Sequence, residues 1–173
     1  MKNKKYIIPI AIGFVFIILS IFFSTQSKPD GSSIESRELI LNKLSKINGN
    51  THISYEIQID EYIVSGYISS NNKLGLAIFE PQGNGKYKFQ TYYLRDKDEL
   101  IHRNVIINQK FYDLFWANKA DLDYAEITYI TSNKSEETFK LDATDNKIIY
   151  KEAPSNDYAV EYVFVDTNGN HYE

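Results

Sequence analysis

The chain has no cysteine. That excludes disulfide staples, thiol catalysis, thiolate metal ligands and lipid attachment at a processed cysteine, so stability has to come from a hydrophobic core. Histidine is almost as scarce. His52, His102 and His171 are the only three, and they are scattered along the chain. Each reads more simply as an exposed or hydrogen-bonded strand residue than as a catalytic base. There is no Gly-x-Ser-x-Gly elbow, which removes the commonest serine-hydrolase signature. A His-Glu-x-x-His helix and a glycine-rich loop ending in Lys-Ser or Lys-Thr are also missing, so no motif implies zinc, a nucleotide or any other cofactor.

Charge is missing in one place of its own. Tyr6 to Phe23, YIIPIAIGFVFIILSIFF, has none, and only Pro9, Gly13 and Ser20 interrupt it. A helix needs about 20 apolar residues to cross a bilayer, with a usual range of about 17–25. A helix of a soluble domain would carry a polar stripe, and this run has none. Pro9 falls in the first turn, where its missing N–H costs little. Lys2, Lys4 and Lys5 precede the run with no acid among them, and positive flanks stay in the cytoplasm. The reading is a short cytoplasmic tail (1–5), a transmembrane signal-anchor (6–23), a linker (24–32) and an extracytoplasmic domain (33–173). A cleaved signal peptide is the competing reading, with a secreted domain as its result. The apolar core is long for that, and Thr25-Gln26-Ser27 is a poor cleavage site.

Only three of the 19 basic residues and none of the 23 acids precede Ser24, so the remainder carries 16 basic against 23 acidic residues, a net −7. That balance argues against nucleic acid, whose phosphates demand a basic surface. It argues equally against electrostatic adhesion to anionic lipid or wall polymer. In its Ile-, Asn-, Lys- and Tyr-rich usage and its lack of cysteine the chain is similar to many envelope proteins of Gram-positive bacteria.

Ser32 with Glu35 three residues on resembles a capping box. Ile40, Leu41, Leu44 and Ile47 then share one face at helical spacing, and Gly49 stands as the stop. From His52 the period changes to two. About 8–10 strands follow, joined by Asn-, Asp-, Ser- and Gly-rich turns every 8–12 residues. The predicted class is mainly β (α+β): one amphipathic helix, then an antiparallel meander or sandwich. Ala117 to Asp123, ANKADLD, interrupts the rhythm and marks a possible subdivision near 117–123.

Aromatics are the richest feature. Alternation on KFYDLFWA puts Phe111, Asp113 and Phe115 on one face and Tyr112, Leu114 and Trp116 on the other. Both faces are bulky, as in a central strand. Such residues suit a β core, and Tyr and Trp also suit a binding surface. Tyr92, Tyr112 and Trp116 are the aromatic binding candidates, with Asn84 at the glycine-flanked hairpin tip Gln82-Gly83-Asn84-Gly85. Metal candidates are weak. Asp96 and Asp98 are interleaved with Arg95 and Lys97. Asp166 and Asn168 start an Asp-x-Asn-x-Asn run whose glycine comes two positions early for a calcium loop. Asn168-Gly169 reads better as a hairpin turn. Glu56, Asp60, Glu61, Glu80 and Asp113 lie on or beside strands, and nothing selects a catalytic pair among them.

The expected role is non-catalytic binding of a peptide, protein or envelope component near the membrane. The rivals are a regulatory or protective ectodomain working through a membrane partner and, less favoured, a cell-wall hydrolase using two acids.

Overall fold

The computed structural model describes residues 29–44, 47, 49–95, 100–154 and 157–173. The apolar run 6–23 lies outside them. Among the described residues no helix is long and apolar enough to cross a membrane.

Among the described residues the fold has one short α-helix, a 3-10 turn at Thr144–Asn146 and eleven strands. Helix α1 is Ile34–Leu41. The strands are β1 (Thr51–Ile59), β2 (Tyr62–Ser69), β3 (Leu74–Gly83), β4 (Lys86–Arg95), β5 (Leu100–Ile107), β6 (Lys110–Ala117), β7 (Leu122–Thr131), β8 (Glu136–Asp142), β9 (Ile149–Glu152), β10 (Tyr158–Asp166) and β11 (His171–Tyr172). They form three antiparallel sheets with the orders β1-β2-β3-β4, β5-β6-β9 and β11-β10-β7-β8. The count exceeds expectation by the two-residue β11, which closes the last hairpin.

The turns obey local chemistry. Asn108 and Gln109 join β5 to β6 with φ of 48° and 66°. Two positive φ values in a two-residue connection match the right-handed twist of the paired strands. At Ala117 the chain leaves the β5-β6-β9 sheet, and Asn118–Asp121 carries it to β7 in another sheet. This crossover falls within the stretch 117–123 that breaks the strand rhythm in the sequence.

The middle sheet, β5-β6-β9, explains the doubly bulky strand. Leu114 and Trp116 of β6, with Ile101 and Val105 of β5, pack against Val64, Leu76 and Ile78 of the first sheet. Phe115 packs the other way, against Ala125, Ile127, Tyr129 and Phe164 of the third sheet. Alternation on a strand buried on both faces feeds two separate cores. A third cluster joins Leu41 and Ile47 to Ile53, Tyr67, Ala77 and Phe79, on the outer face of the first sheet.

Helix α1 departs from expectation at both ends. Its N-cap is Ser33, not Ser32: the Ser33 hydroxyl accepts the Ser36 N–H. Ser32 instead donates its hydroxyl to Asp30, 2.6 Å away. The helix stops at Leu41 because Asn42 turns its side chain to β1, where Oδ1 accepts from the Thr51 N–H at 2.7 Å. Tighter turns follow, with Leu44 N–H on Leu41 O and Ile47 N–H on Leu44 O. They still bring Ile47 to the core face, where it is 1% exposed.

One long-range pair pins the helix. Arg37, buried on α1, meets Glu56 of β1 through two parallel hydrogen bonds, Nε to Oε1 at 2.8 Å and Nη2 to Oε2 at 2.5 Å. Its Nη1 donates to the Gly31 carbonyl, and Ser65 of β2 donates its hydroxyl to Glu56. The expected linker is therefore not free over its last residues. Asp30 O accepts the Tyr87 N–H at 2.8 Å, and the Gly31 N–H donates to Ser36 Oγ. Gly31 sits so close to β4 that a Cβ there would lie 2.3 Å from Tyr87 O.

Candidate functional site

β4 and β5 are edge strands of different sheets. Between them opens a cleft of about 350 Å³, lined by Ile78, Gln90 and Thr91 from one side and by Asn104, Val105 and Ile106 from the other. Gln90 is there because β4 bulges: Ile78 pairs with Thr91 and Phe79 with Phe89, which leaves Gln90 as the extra residue. A bulge bends a strand and re-aims a side chain. Tyr93 completes the lining, and the Arg103 guanidinium lies 5.7 Å from the centre of its ring. Ile106, at the rim, is 55% exposed. Three neutral polar residues and a few apolar ones thus line the cleft.

Behind Asn104 runs a polar network between the second and third sheets. Asn104 lies directly opposite Asp113 in the β5–β6 register. Its Nδ2 donates to the Tyr158 hydroxyl at 2.7 Å. Tyr158 in turn donates to Asp113 Oδ2 at 2.6 Å, and His102 Nε2 is 2.8 Å from Asp113 Oδ1. Asp113 is fully buried, in a strand of bulky apolar residues. Burying a carboxylate is costly unless it is hydrogen-bonded, and these donors meet that need. Burial alone would raise its pKa. The bonds from His102 and Tyr158 outweigh burial and hold it below the usual carboxylate value.

The same charge acts on its neighbours. Burial first, then the bond to Asp113 and its charge, push the Tyr158 hydroxyl well above its usual pKa. Tyr129 is shifted the same way, chiefly by burial and then by the Asp113 charge. Its hydroxyl is buried and forms no hydrogen bond of normal geometry. His102 is fixed in orientation, stacked on Phe115 with ring centres 4.7 Å apart and beside Tyr162. With Nε2–H on the carboxylate, the neutral tautomer leaves Nδ1 as its acceptor. The arrangement can orient an imidazole and relay polarity from Asn104 inward. Among the described residues no group of three or more His, Asp and Glu side chains is placed to hold a metal ion.

The four residues singled out for binding lie elsewhere. Trp116 is 0% exposed, and its Nε1 donates to Asn146 O at 2.8 Å. Tyr112 is buried in the same cluster. Neither offers a surface, because the face of β6 that carries them meets the first sheet. Tyr92 is half-buried on the helix side of β4. Asn84 is exposed at the β3–β4 tip with φ of 53°, away from the cleft. Asp96 and Asp98 fall outside the described residues. Asp166 is committed to its own hairpin. It accepts from the side chain and then the N–H of Asn170, and from Tyr172 and the Asn168 N–H, which together hold its pKa at about 2. Asn168 takes part through its backbone only.

His102, Asn104, Asp113 and Tyr158 are the residues that sequence reasoning did not bring together. The available signal was the acid inside KFYDLFWA. A carboxylate flanked by bulky apolar residues in a central strand needs buried donors, and His102 and the Tyr residues are the donors at hand. No protein-family model, curated protein or solved structure matches this chain.

Proposed function

We propose that the chain is a membrane-tethered, extracytoplasmic domain that binds rather than catalyses, and that it holds an extended polypeptide segment in the cleft between β4 and β5. The observation that carries this reading is the meeting of two sheet edges at one cleft. An edge strand presents a row of unpaired N–H and C=O groups. A peptide that lies along such an edge satisfies its own backbone and the strand's together. Gln90, Thr91 and Asn104 supply further neutral donors and acceptors, and Ile106 and Tyr93 supply apolar contact. The uncharged run Tyr6–Phe23 behind Lys2, Lys4 and Lys5 supports the tether and the orientation. The net −7 of the remainder disfavours nucleic acid.

The test is site-specific photo-crosslinking in cells, on the full chain. A photoreactive residue replaces Ile106, and a control replaces the exposed His171. One recurrent polypeptide segment attached at 106 and absent at 171 is the expected result. Equal labelling at both positions overturns the cleft reading.

A further inference from the structure

We propose that the domain stands on the bilayer by one particular end, with a lipid headgroup surface as the partner of that end. This rests on reading residues 6–23 as a membrane anchor. The proximal end carries the turns Asp60–Glu61, Gln82–Gly85 and Asn108–Gln109. The distal end carries Asn71–Asn72, Asp145–Asn146 and Asn168–Gly169.

The argument is one of reach. The chain is fixed to the domain from Asp30 onward, by the Asp30 O bond to Tyr87 N–H, by Gly31 packed on Tyr87 and by Arg37 on Gly31 O. Seven peptide steps separate Phe23 from Asp30, and even fully extended they span at most about 25 Å. Part of that length is spent in the headgroup layer, about 6 Å thick on each side. The attachment lies at the start of β4, next to the Gln82–Gly85 tip. The far end of β4, at Arg95, is eight residues away, about 26 Å along the strand. With only the far end turned to the headgroups the attachment would stand about 26 Å above them, beyond the tether's reach, so the inverted orientation is excluded and the near end is the one that meets the bilayer.

The three proximal turns belong together. β2 pairs with β1 through Tyr62–Ile59 and with β3 through Ile63–Phe79, which sets two of the turns side by side. Asn108 Nδ2 donates to Asp60 Oδ2 and brings in the third. The distal end is fixed the same way. The Thr167 N–H donates to Asp121 O, beyond the other end of β6.

The chemistry of the proximal end fits a surface met by tethering rather than by charge. The tip Gln82-Gly83-Asn84-Gly85 is exposed and uncharged. Its neighbours Lys86 and Lys110 are paired, with Asp30 at 3.7 Å and Glu152 at 3.0 Å. The turn Asp60–Glu61 adds two exposed acids, so attraction to anionic lipid does not drive the orientation. This orientation also sets the cleft in the membrane-facing half, since Ile106 is two residues from Asn108.

The absence of cysteine makes the test direct. Gln82→Cys and Asn168→Cys variants of the full chain each take one fluorophore. They are reconstituted in phosphatidylcholine vesicles that contain a headgroup-spin-labelled lipid, and flotation is scored in parallel. With about 19 Å of reach left beyond the headgroup layer against a strand of about 26 Å, quenching should be at least about twofold stronger at 82 than at 168. Added anionic lipid should not raise the ratio. Flotation with equal quenching, or with stronger quenching at 168, overturns the orientation alone. Failure to float overturns the anchor reading, and the orientation with it.

Discussion

Gly66 of β2 and the indole of Trp116 on β6 touch across the first two sheets with no room between them. A Cβ at position 66 would lie 2.8 Å from Trp116 Cε2 and 2.9 Å from Cδ2 and Cζ2. The glycine is there so that an aromatic ring can lie on bare backbone. Gly66→Ala should cost about 1–3 kcal/mol, the usual range for overpacking. That corresponds to a fall in Tm of roughly 3–10 °C for a chain of this size. Thermal unfolding followed by circular dichroism measures it. Trp116 is the single tryptophan, so its emission reports the displaced ring directly. An unchanged Tm would show that the indole has space to move.

Asp113→Asn should destabilise the fold at neutral pH by about 1–3 kcal/mol, because His102 and Tyr158 lose a charged acceptor. The pH dependence has a definite sign. The folded pKa of Asp113 is depressed, so the unfolded chain binds the proton more readily. The carboxylate's contribution is fully present above its unfolded value, about 3.9. It is lost as the pH falls below that value, through the lower folded one. The difference between wild type and Asp113→Asn should therefore shrink on acidification below about pH 4. Urea unfolding at a series of pH values tests this. A constant difference would assign the effect to shape rather than charge.

Arg37→Met should release α1. Removing one partner of a fully buried ion pair costs about 3–5 kcal/mol, and with the Glu56 side chain 17% exposed the loss should fall at or below the lower end of that range. A helix of eight residues has little stability of its own. Amide exchange over Ile34–Leu41 should lose protection before the sheets do. Adding Glu56→Gln to Arg37→Met should recover part of the loss, since the stranded charge is then gone. If the double variant is as unstable as the sum of the two single ones, the pair is not the lock.

Gln109→Gly should stabilise the chain by about 0.5–1 kcal/mol, since a left-handed conformation costs an ordinary residue roughly 1–2 kcal/mol. Gln109 sits at φ of 66° after Asn108 at 48°, and Asn-Gly is the favoured pair for such a turn. The rise in urea midpoint should come without a change in slope.

Strands and turns were legible because their signals are local. Period-two alternation and pairs such as Asn84-Gly85 announce themselves within a few residues. The bulk on both faces of β6 even announced a central strand, which its place between β5 and β9 matches. The partition into three sheets was not legible, because it depends on which apolar face meets which. The end of α1 was misjudged for the same reason: Asn42 is captured by Thr51, nine residues on. The network around Asp113 was hidden by distance. His102 lies 11 residues from it in sequence and Tyr158 lies 45, so no motif can contain them. Trp116 and Tyr112 suit both a core and a binding surface by residue type, and only the packing of sheet on sheet separates the two roles.

The shared strand has a mechanical consequence. β6 gives Leu114 and Trp116 to one hydrophobic cluster and Phe115 to the other. Loosening it disturbs both at once. Fluctuations of the two interfaces are thereby coupled. A ligand that stiffens β5, its hydrogen-bonded neighbour, would damp the motion of a sheet it never touches.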